Sequence, residues 1–235
     1  MKSDDVGKKK DHLMRMELLE QERFKNAWCI CANDASDACA AQACEIHAFL
    51  LEQYESVGRF YHTLNHIQQC LTQLDAAIPK AALTEEAVAK VEVAIWFHDA
   101  IYEPGSSQNE ALSAELFEKK AESFSNKEVV RDISRSIVET NHRHSPSSEL
   151  SKWVVDLDLS GMGLSNEKFQ NDGEFVRKEL THLSDQEYVD SQIKFFKGLL
   201  ARERIYHTDY FYNQYEQPAR QNIQTQLRIY SDTAQ

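Results

Sequence analysis

The sequence predicts an all-α protein, and three observations support this fold class. No stretch shows the sustained alternation of apolar and polar residues, with β-branched enrichment, that marks a half-buried strand. Apolar residues recur instead at helical spacing, as at Val88, Val91 and Ile95. Helix-start signals precede these segments, such as Thr84 followed by Glu85 and Glu86. Together they predict a bundle of helices.

The helices can be placed in order along the chain. The Asp34-to-Asp37 segment looks like an N-cap region for a helix that reaches about Tyr54. Pro79 is expected to stop the helix after it, and Gln217-Pro218 to open the last one. The loop 103–107, which contains Pro104 and Gly105, should follow the helix that begins at Thr84. Further helices are expected at about 8–25, 63–74, 109–124, 127–140, 150–159, 169–183 and 185–206.

Length and composition limit the organisation and the partners. The 235 residues contain no linker rich in Pro, Gly or Ser, which favours one large domain. The net charge of −12 argues against a nucleic-acid polymer as partner. No apolar run approaches the roughly 18 residues of a membrane span, and residues 1–16 lack the apolar region of a signal peptide. A cytoplasmic protein away from the membrane is therefore expected, with a homo-oligomer left open.

The cysteines are expected to be reduced thiols. Their number is odd in a chain without a secretory signal, and most lie in an Ala-rich segment that indicates helix rather than a zinc site. The five positions are Cys29, Cys31, Cys39, Cys44 and Cys70.

The most informative stretch is the apolar helix 94–102, which carries His98 and Asp99 side by side. Helical spacing from Ile95 directs both side chains inward. A carboxylate that faces a core costs several kcal/mol unless it is paired or bound to a metal. The alternative interpretation is a helix end whose His and Asp cap neighbouring elements.

Other polar residues on apolar helix faces favour a metal site. His62 and His66 belong to one helix, and either Asp156 or Asp158 belongs to another. Imidazoles combined with carboxylates form a mixed nitrogen and oxygen site suited to Mn²⁺, Fe²⁺, Co²⁺, Ni²⁺ or Zn²⁺, and helical bundles build such sites on facing helices.

Five motifs follow one another along the chain, namely Tyr61-His62-x-x-x-His66, His98-Asp99-x-x-Tyr102, Asn109-Glu110-x-x-Ser113-Ala114, Thr140-x-x-x-His144 and Asp156-x-Asp158-Leu159-Ser160. Their order resembles the HD-domain superfamily of metal-dependent phosphohydrolases, in particular a bacterial group of about 200 residues. The resemblance covers roughly residues 28–222 and implies an HD-type helical domain there. Residues 1–27 are expected to form an N-terminal extension that is partly disordered, and residues 223–235 the end of the last helix and a tail.

The resemblance implies a helical bundle with the metal between its helices. The ligands would be His66, His98, Asp99 and a terminal aspartate, for which Asp158 is preferred and Asp156 is the alternative. The cofactor would be a divalent ion, with Mn²⁺, Co²⁺, Ni²⁺, Fe²⁺, Mg²⁺ and Zn²⁺ all left open.

The implied activity is hydrolysis of a small phosphorylated molecule, a nucleotide first, by metal-activated water. Catalytic roles are expected for Asp99, His62 and Glu110, whereas Glu103 is interpreted as a solvent-facing loop acid.

Contacts with the substrate are expected from Arg59, Arg143 and His144. Two alternatives stay open. One is a non-catalytic nucleotide-sensing or interaction domain on the same fold. The other is oxidative chemistry at two metal ions, for which His62, His142 and His144 would be spare ligands.

Overall fold

The all-α prediction is confirmed. The computed structural model describes the backbone of residues 3–233 and the side chains of residues 18–232. Within that part of the chain there are ten α-helices, one short 3₁₀ helix and no strand. None of these helices is long and apolar enough to cross a membrane.

The helices follow one another with short connections. In order they are α1 (Ser3–Ala32), α2 (Asp37–Tyr54), α3 (Leu64–Ala81), α4 (Glu85–Phe97), α5 (Asn109–Lys120), α6 (Lys127–Glu139), α7 (Glu149–Asp158), the 3₁₀ helix (Leu159–Gly163), α8 (Asn166–Glu179), α9 (Asp185–Leu200) and α10 (Asp209–Thr233).

Side-chain caps fix several helix starts at the positions that the sequence indicates. The Ser36 hydroxyl accepts a hydrogen bond from the Cys39 N–H at the start of α2, and the Thr84 hydroxyl accepts one from the Ala87 N–H at the start of α4. Such a cap satisfies one of the N–H groups that lack a partner in the first turn.

Two proline expectations are wrong. Pro79 does not stop α3, because the last residue of this helix is Ala81. The next residue, Ala82, has a left-handed backbone conformation. Pro218 does not open the last helix, because α10 begins at Asp209 and contains Pro218 in its interior. The segment between α9 and α10 belongs to no helix, although the sequence predicted one continuing to residue 206.

The centre of the core is α4. It packs against α1, α3, α6 and α7, and its four last residues, 94–97, are fully buried. Aromatic rings from α1 cover it, because Phe24 lies edge-on to Trp96, and Trp28 stacks on Phe97. Burying side chains of this size stabilises the fold by roughly 1.5 to 3 kcal/mol each.

This packing affects the predicted extension at 1–27. Phe24 and Ala27 belong to the same core as Trp28, and α1 runs through residue 27 without a break. Residues 18–27 are therefore part of the helical bundle. The predicted disorder falls on the first residues of the chain, and the side chains of residues 1–17 lie outside the described part of the structure.

Candidate metal centre

Three helix ends meet at a cluster of His and Asp side chains. His66 lies in the first turn of α3, His98 directly follows α4, and Asp158 is the last residue of α7. His66 Nε2 lies 3.2 Å from His98 Nε2 and 3.1 Å from Asp158 Oδ1, and His98 Nε2 lies 3.5 Å from Asp158 Oδ1. These residues could hold a metal ion.

Asp99 completes this cluster. Its Oδ2 lies 3.1 Å from His98 Nε2 and 3.8 Å from His66 Nε2. The side chain is 12% exposed, so this face of the cluster is open to solvent or a ligand. The structure thus brings together four of the residues for which metal ligation was expected, namely His66, His98, Asp99 and Asp158.

The tautomer of His98 suits metal binding. Its Nδ1–H donates to the Ile95 carbonyl at 2.8 Å, so the lone pair of the neutral ring lies on Nε2 and faces the cluster. The His66 Nε2 atom points at the same place. The lone pairs of His66 Nε2 and His98 Nε2, whose atoms lie 3.2 Å apart, repel each other unless a proton or a cation lies between them.

The spacing also fits a coordinated ion. A metal about 2.1 Å from its ligands places neighbouring ligand atoms about 3.0 Å apart in octahedral and about 3.4 Å apart in tetrahedral coordination. The separations of 3.1 and 3.2 Å from His66 to Asp158 and to His98 fall in this range, and the 3.5 Å between His98 and Asp158 lies just above it. The donor set therefore fits a divalent cation.

The charges of the cluster are mutually dependent. Burial lowers the pKa of His98, but the charges of Asp99 and Asp158 outweigh it and hold this pKa well above its ordinary value. Burial raises the pKa of Asp99, yet His98 and His62 outweigh burial and hold it below its ordinary value. For Asp158, burial is again opposed, here by hydrogen bonds from His142, His66 and His98, and the pKa falls well below its ordinary value. Both carboxylates are ionised at neutral pH and require positive charge.

His142 is a site residue that the sequence did not single out for this role. Its Nε2 lies 2.8 Å from Asp158 Oδ2, the oxygen that faces away from His66. Its backbone is left-handed, with φ 55°, in the turn after α6. His144, for which substrate contact was expected, is exposed beyond that turn. Within the described residues, no hydrogen bond links the His144 ring to the cluster.

Asp156 lies outside the cluster. Its carboxylate accepts hydrogen bonds from the N–H groups of His207 and Thr208, at 2.7 to 3.0 Å, and from the Thr208 hydroxyl at 2.8 Å. It therefore anchors the segment between α9 and α10 to α7. The alternative in which Asp156 is the terminal ligand does not agree with this placement.

His62 borders the cluster from one side. Its Nδ1 lies 2.6 Å from Glu179 Oε2, and its ring stacks on Tyr102 with ring centroids 4.1 Å apart. Burial lowers the pKa of His62, but the charge of Asp99 and the Glu179 carboxylate outweigh it and raise this pKa. The negative charge of Asp99 thus favours the protonated form of His62.

Glu179 holds the turn that carries His62. Its Oε1 accepts hydrogen bonds from the N–H groups of Phe60, Tyr61 and His62 at 2.7 to 2.9 Å, and its Oε2 accepts one from the Tyr102 hydroxyl. No local pattern indicates this role, because Glu179 lies at the end of α8, far along the chain from the turn that it holds.

Arg59 has a different role from the substrate contact that the sequence predicted. Its guanidinium donates to the carbonyl oxygens of His62, Asp99 and Ala100 at 2.7 to 3.0 Å, and to the Ser56 hydroxyl. It also lies over the rings of Tyr54 and Tyr102. Arg59 therefore ties the turn before α3 to the backbone of Asp99, and few of its donors are left for a ligand.

Arg143 lines a basic cavity of about 500 Å³ next to the cluster, together with His142, Lys194 and Arg202. Arg202 donates to the His142 carbonyl at 2.5 Å, while its Nη1 is buried and has no hydrogen-bond partner among the described residues. In a chain of net charge −12, such a group of cations favours an anionic ligand.

The two acids of the loop region take no part in the cluster. Glu103 is exposed and Glu110 is half-buried in the first turn of α5. In the described part of the chain, no hydrogen bond links either carboxylate to the His and Asp side chains. The expected role of Glu110 in orienting water stays a prediction.

The described part of the chain is thus an all-α protein with a candidate mixed His and Asp metal centre where three helix ends meet. No protein-family model, curated protein or solved structure matches the chain.

Proposed function

We propose that this protein is a metal-dependent phosphohydrolase of the HD-superfamily type that acts on a small phosphorylated molecule, a nucleotide first. The single observation that carries the proposal is the convergence of His66, His98 and Asp158 with Asp99 beside them. A buried group of this composition is costly without a cation, which makes a structural role alone a poor explanation.

The proposed metal site has four ligands and one residue that orients a ligand. His66, His98, Asp99 and Asp158 would hold a divalent ion, which when bound lowers the pKa of a water molecule and polarises a phosphoryl oxygen. His142 fixes the orientation of the Asp158 carboxylate through its second oxygen.

Substrate charge would be met by the basic cavity. Arg143, Lys194 and Arg202 open onto it, and its wall includes His142, which bonds to Asp158. An anionic group of the substrate bound there would lie beside the cluster. Positioning of this kind supplies much of the rate enhancement in phosphoryl transfer.

His62 would supply a proton in this reaction. Because its Nδ1 bonds to Glu179, the proton that can be transferred is the one on Nε2. As the bond from water oxygen to phosphorus forms and the ester bond breaks, the leaving oxygen would take this proton.

The test is the substitution Asp99→Asn, which keeps size but removes charge. Metal should bind at least about tenfold more weakly, by the usual scale for a damaged site, and most phosphate release should be lost. The measurement is metal titration together with phosphate release from a nucleotide panel with Mn²⁺, Co²⁺, Mg²⁺ and Ni²⁺. Asp232→Asn, an exposed aspartate near the end of α10, is the matched control.

Two results would contradict the proposal. Unchanged metal affinity and turnover in Asp99→Asn would remove this residue from the mechanism. Metal binding by the wild type without phosphate release from any compound would instead favour the non-catalytic nucleotide-sensing domain.

A further inference from the structure

A second cavity lies on the other side of Tyr61 from the metal cluster. Its volume is about 280 Å³, near the lower end of the range of about 300 to 1,000 Å³ for small-molecule sites. It is formed where α8, α9 and α10 approach the 3₁₀ helix. Its wall combines polar and charged residues with five aromatic side chains, namely Tyr61, Phe169, Tyr188, Phe196 and Tyr230.

One wall of this cavity carries an acceptor without a partner. Asp172 is 92% buried, since only 8% of its surface is exposed. Its Oδ1 is paired with Lys168, whereas its Oδ2 is buried and has no hydrogen-bond partner among the residues that the structure describes. An unmatched carboxylate oxygen in an aromatic cavity is costly, and a ligand N–H would offset that cost.

A donor lies beside this acceptor. The Gln69 Nε2 atom is buried and also lacks a hydrogen-bond partner in the described part of the chain. The atoms converge at Gly161, because a Cβ placed there would lie 3.1 Å from Gln69 Nε2, 3.4 Å from Asp172 Oδ2 and 3.7 Å from the Tyr61 hydroxyl. The absence of a side chain at Gly161 leaves this point free.

We propose that this cavity binds a nucleobase. A base offers a flat surface for the aromatic walls and an edge on which an N–H donor lies next to an acceptor. Such an edge matches the free oxygen of Asp172 and, at Gly161 on the cavity wall, the amide N–H of Gln69 behind it. A purely apolar ligand would leave both polar groups unsatisfied.

Tyr61 connects this cavity with the metal cluster. Its hydroxyl faces Gly161 and its ring lies 4.9 Å from the His66 ring, measured between centroids. Base and phosphate of one nucleotide would therefore occupy the two sides of Tyr61. This last step rests on the proposed function, whereas binding of the base itself does not.

The test uses nucleosides, which have a base but no phosphate. Guanosine, adenosine and uridine are titrated into metal-free full-length protein by calorimetry, with ribose 5-phosphate as the probe that lacks a base. At least one nucleoside should bind with a Kd below about 1 mM, and ribose 5-phosphate should show no heat that depends on the cavity. Asp172→Asn should weaken nucleoside binding at least tenfold, whereas Glu167→Gln, an exposed acid on the same helix, should not change it.

Gln69→Leu is a second variant for the case that Asp172→Asn does not fold, which circular dichroism would reveal. It should weaken nucleoside binding in the same way. No binding of any of the three nucleosides at 5 mM, on the order of the weakest affinity of interest, would overturn the proposal. So would a folded Asp172→Asn protein that binds as tightly as the wild type.

The outcomes also separate this inference from the proposed function. Nucleoside binding without any phosphate release would leave the cavity assignment standing and refute the hydrolase. Release of phosphate from ribose 5-phosphate without nucleoside binding would do the reverse. If nucleosides bind and phosphate is also released, Asp172→Asn should raise KM for the nucleotide at least about tenfold, whereas Glu167→Gln should leave this KM unchanged.

Discussion

Asp156 and Asp158 lie two residues apart at the end of α7, yet their carboxylates have opposite surroundings. Asp156 accepts hydrogen bonds from two backbone N–H groups and one hydroxyl. Asp158 faces imidazole nitrogens, with His66 and His98 on one oxygen and His142 on the other. Helix geometry explains the difference, because residues two apart point to different sides of α7.

We therefore expect buried carboxylates in this protein to have two different roles, namely anchoring the backbone and binding a cation. The hydrogen bonds of a carboxylate surrounded by backbone donors are supplied by the fold itself, as at Asp156 and Glu179. At Asp156 burial outweighs these donors and raises the pKa to about 7. A carboxylate grouped with another carboxylate and with inward imidazole lone pairs is satisfied only when protons or a cation are added. The first kind should affect stability when removed, and the second kind should affect metal binding.

The largest expected effect is on stability, in Asp156→Ala. Removal of the carboxylate leaves the N–H groups of His207 and Thr208 without an acceptor at a buried site. The loss in free energy of unfolding should be about 3 to 5 kcal/mol. Urea denaturation measures it, and metal content per folded molecule should not change. A loss below about 1 kcal/mol would show that this anchor is not needed.

Glu179→Gln should have the next largest effect, about 2 to 3 kcal/mol at pH 7, because charge-assisted hydrogen bonds to three backbone N–H groups are weakened. Burial raises the pKa of Glu179, but the hydrogen bond and charge of His62, followed by the backbone donors, outweigh burial and lower it to about 2.

The sign of the pH dependence follows from this shift. The ordinary value is 4.5, so the stabilisation by Glu179 is complete above pH 4.5 and is lost as the pH falls toward 2. Acid titration of stability should therefore be flatter in Glu179→Gln than in the wild type. An equally steep loss in both proteins would contradict the account of this anchor.

His47 is a buried histidine with no carboxylate hydrogen-bonded to it in the described residues, in contrast to the histidines of the cluster. Its ring lies against Phe24 and Trp96, and burial lowers its pKa to about 4 from an ordinary 6.5. Between these values the unfolded chain binds a proton that the folded chain does not, so stability falls as the pH falls from 6.5 to 4.

Replacing this ring should reduce that dependence. His47→Leu should remove about 1 to 2 kcal/mol of the stability difference between pH 7 and pH 5. His144→Gln, at an exposed histidine, is the control and should leave the difference intact. The measurement is thermal or urea unfolding at both pH values, and an unchanged pH dependence in His47→Leu would show that this ring is protonated in the folded protein.

The sequence predicted the fold class and the cluster for related reasons. Helical spacing places His98 and Asp99 next to the buried end of α4, and a local pattern of this kind is readable without the tertiary structure. The helix starts at Thr84 and Ser36 could also be predicted, because each cap bonds to a residue only three positions further along the chain.

The residues that were missed or misplaced depend on contacts that are distant along the chain. His142 reaches Asp158 only because the turn after α6 is left-handed at that residue. Arg59 binds carbonyl oxygens, which any segment offers, so its sequence position gave no sign of its partners. Pro218 lies inside α10 because tertiary packing overrides the local preference for a helix start.

We expect the side chains around Asp158 to bind a cation and the carboxylate of Asp156 to bind none. Divalent metal bound per folded molecule can be compared in the wild type, Asp158→Asn and Asp156→Asn, each dialysed against the same free Mn²⁺ concentration. Wild type and Asp156→Asn should retain the ion, and Asp158→Asn should bind it at least about tenfold more weakly. Equal metal content in all three proteins, or loss in Asp156→Asn alone, would contradict the account.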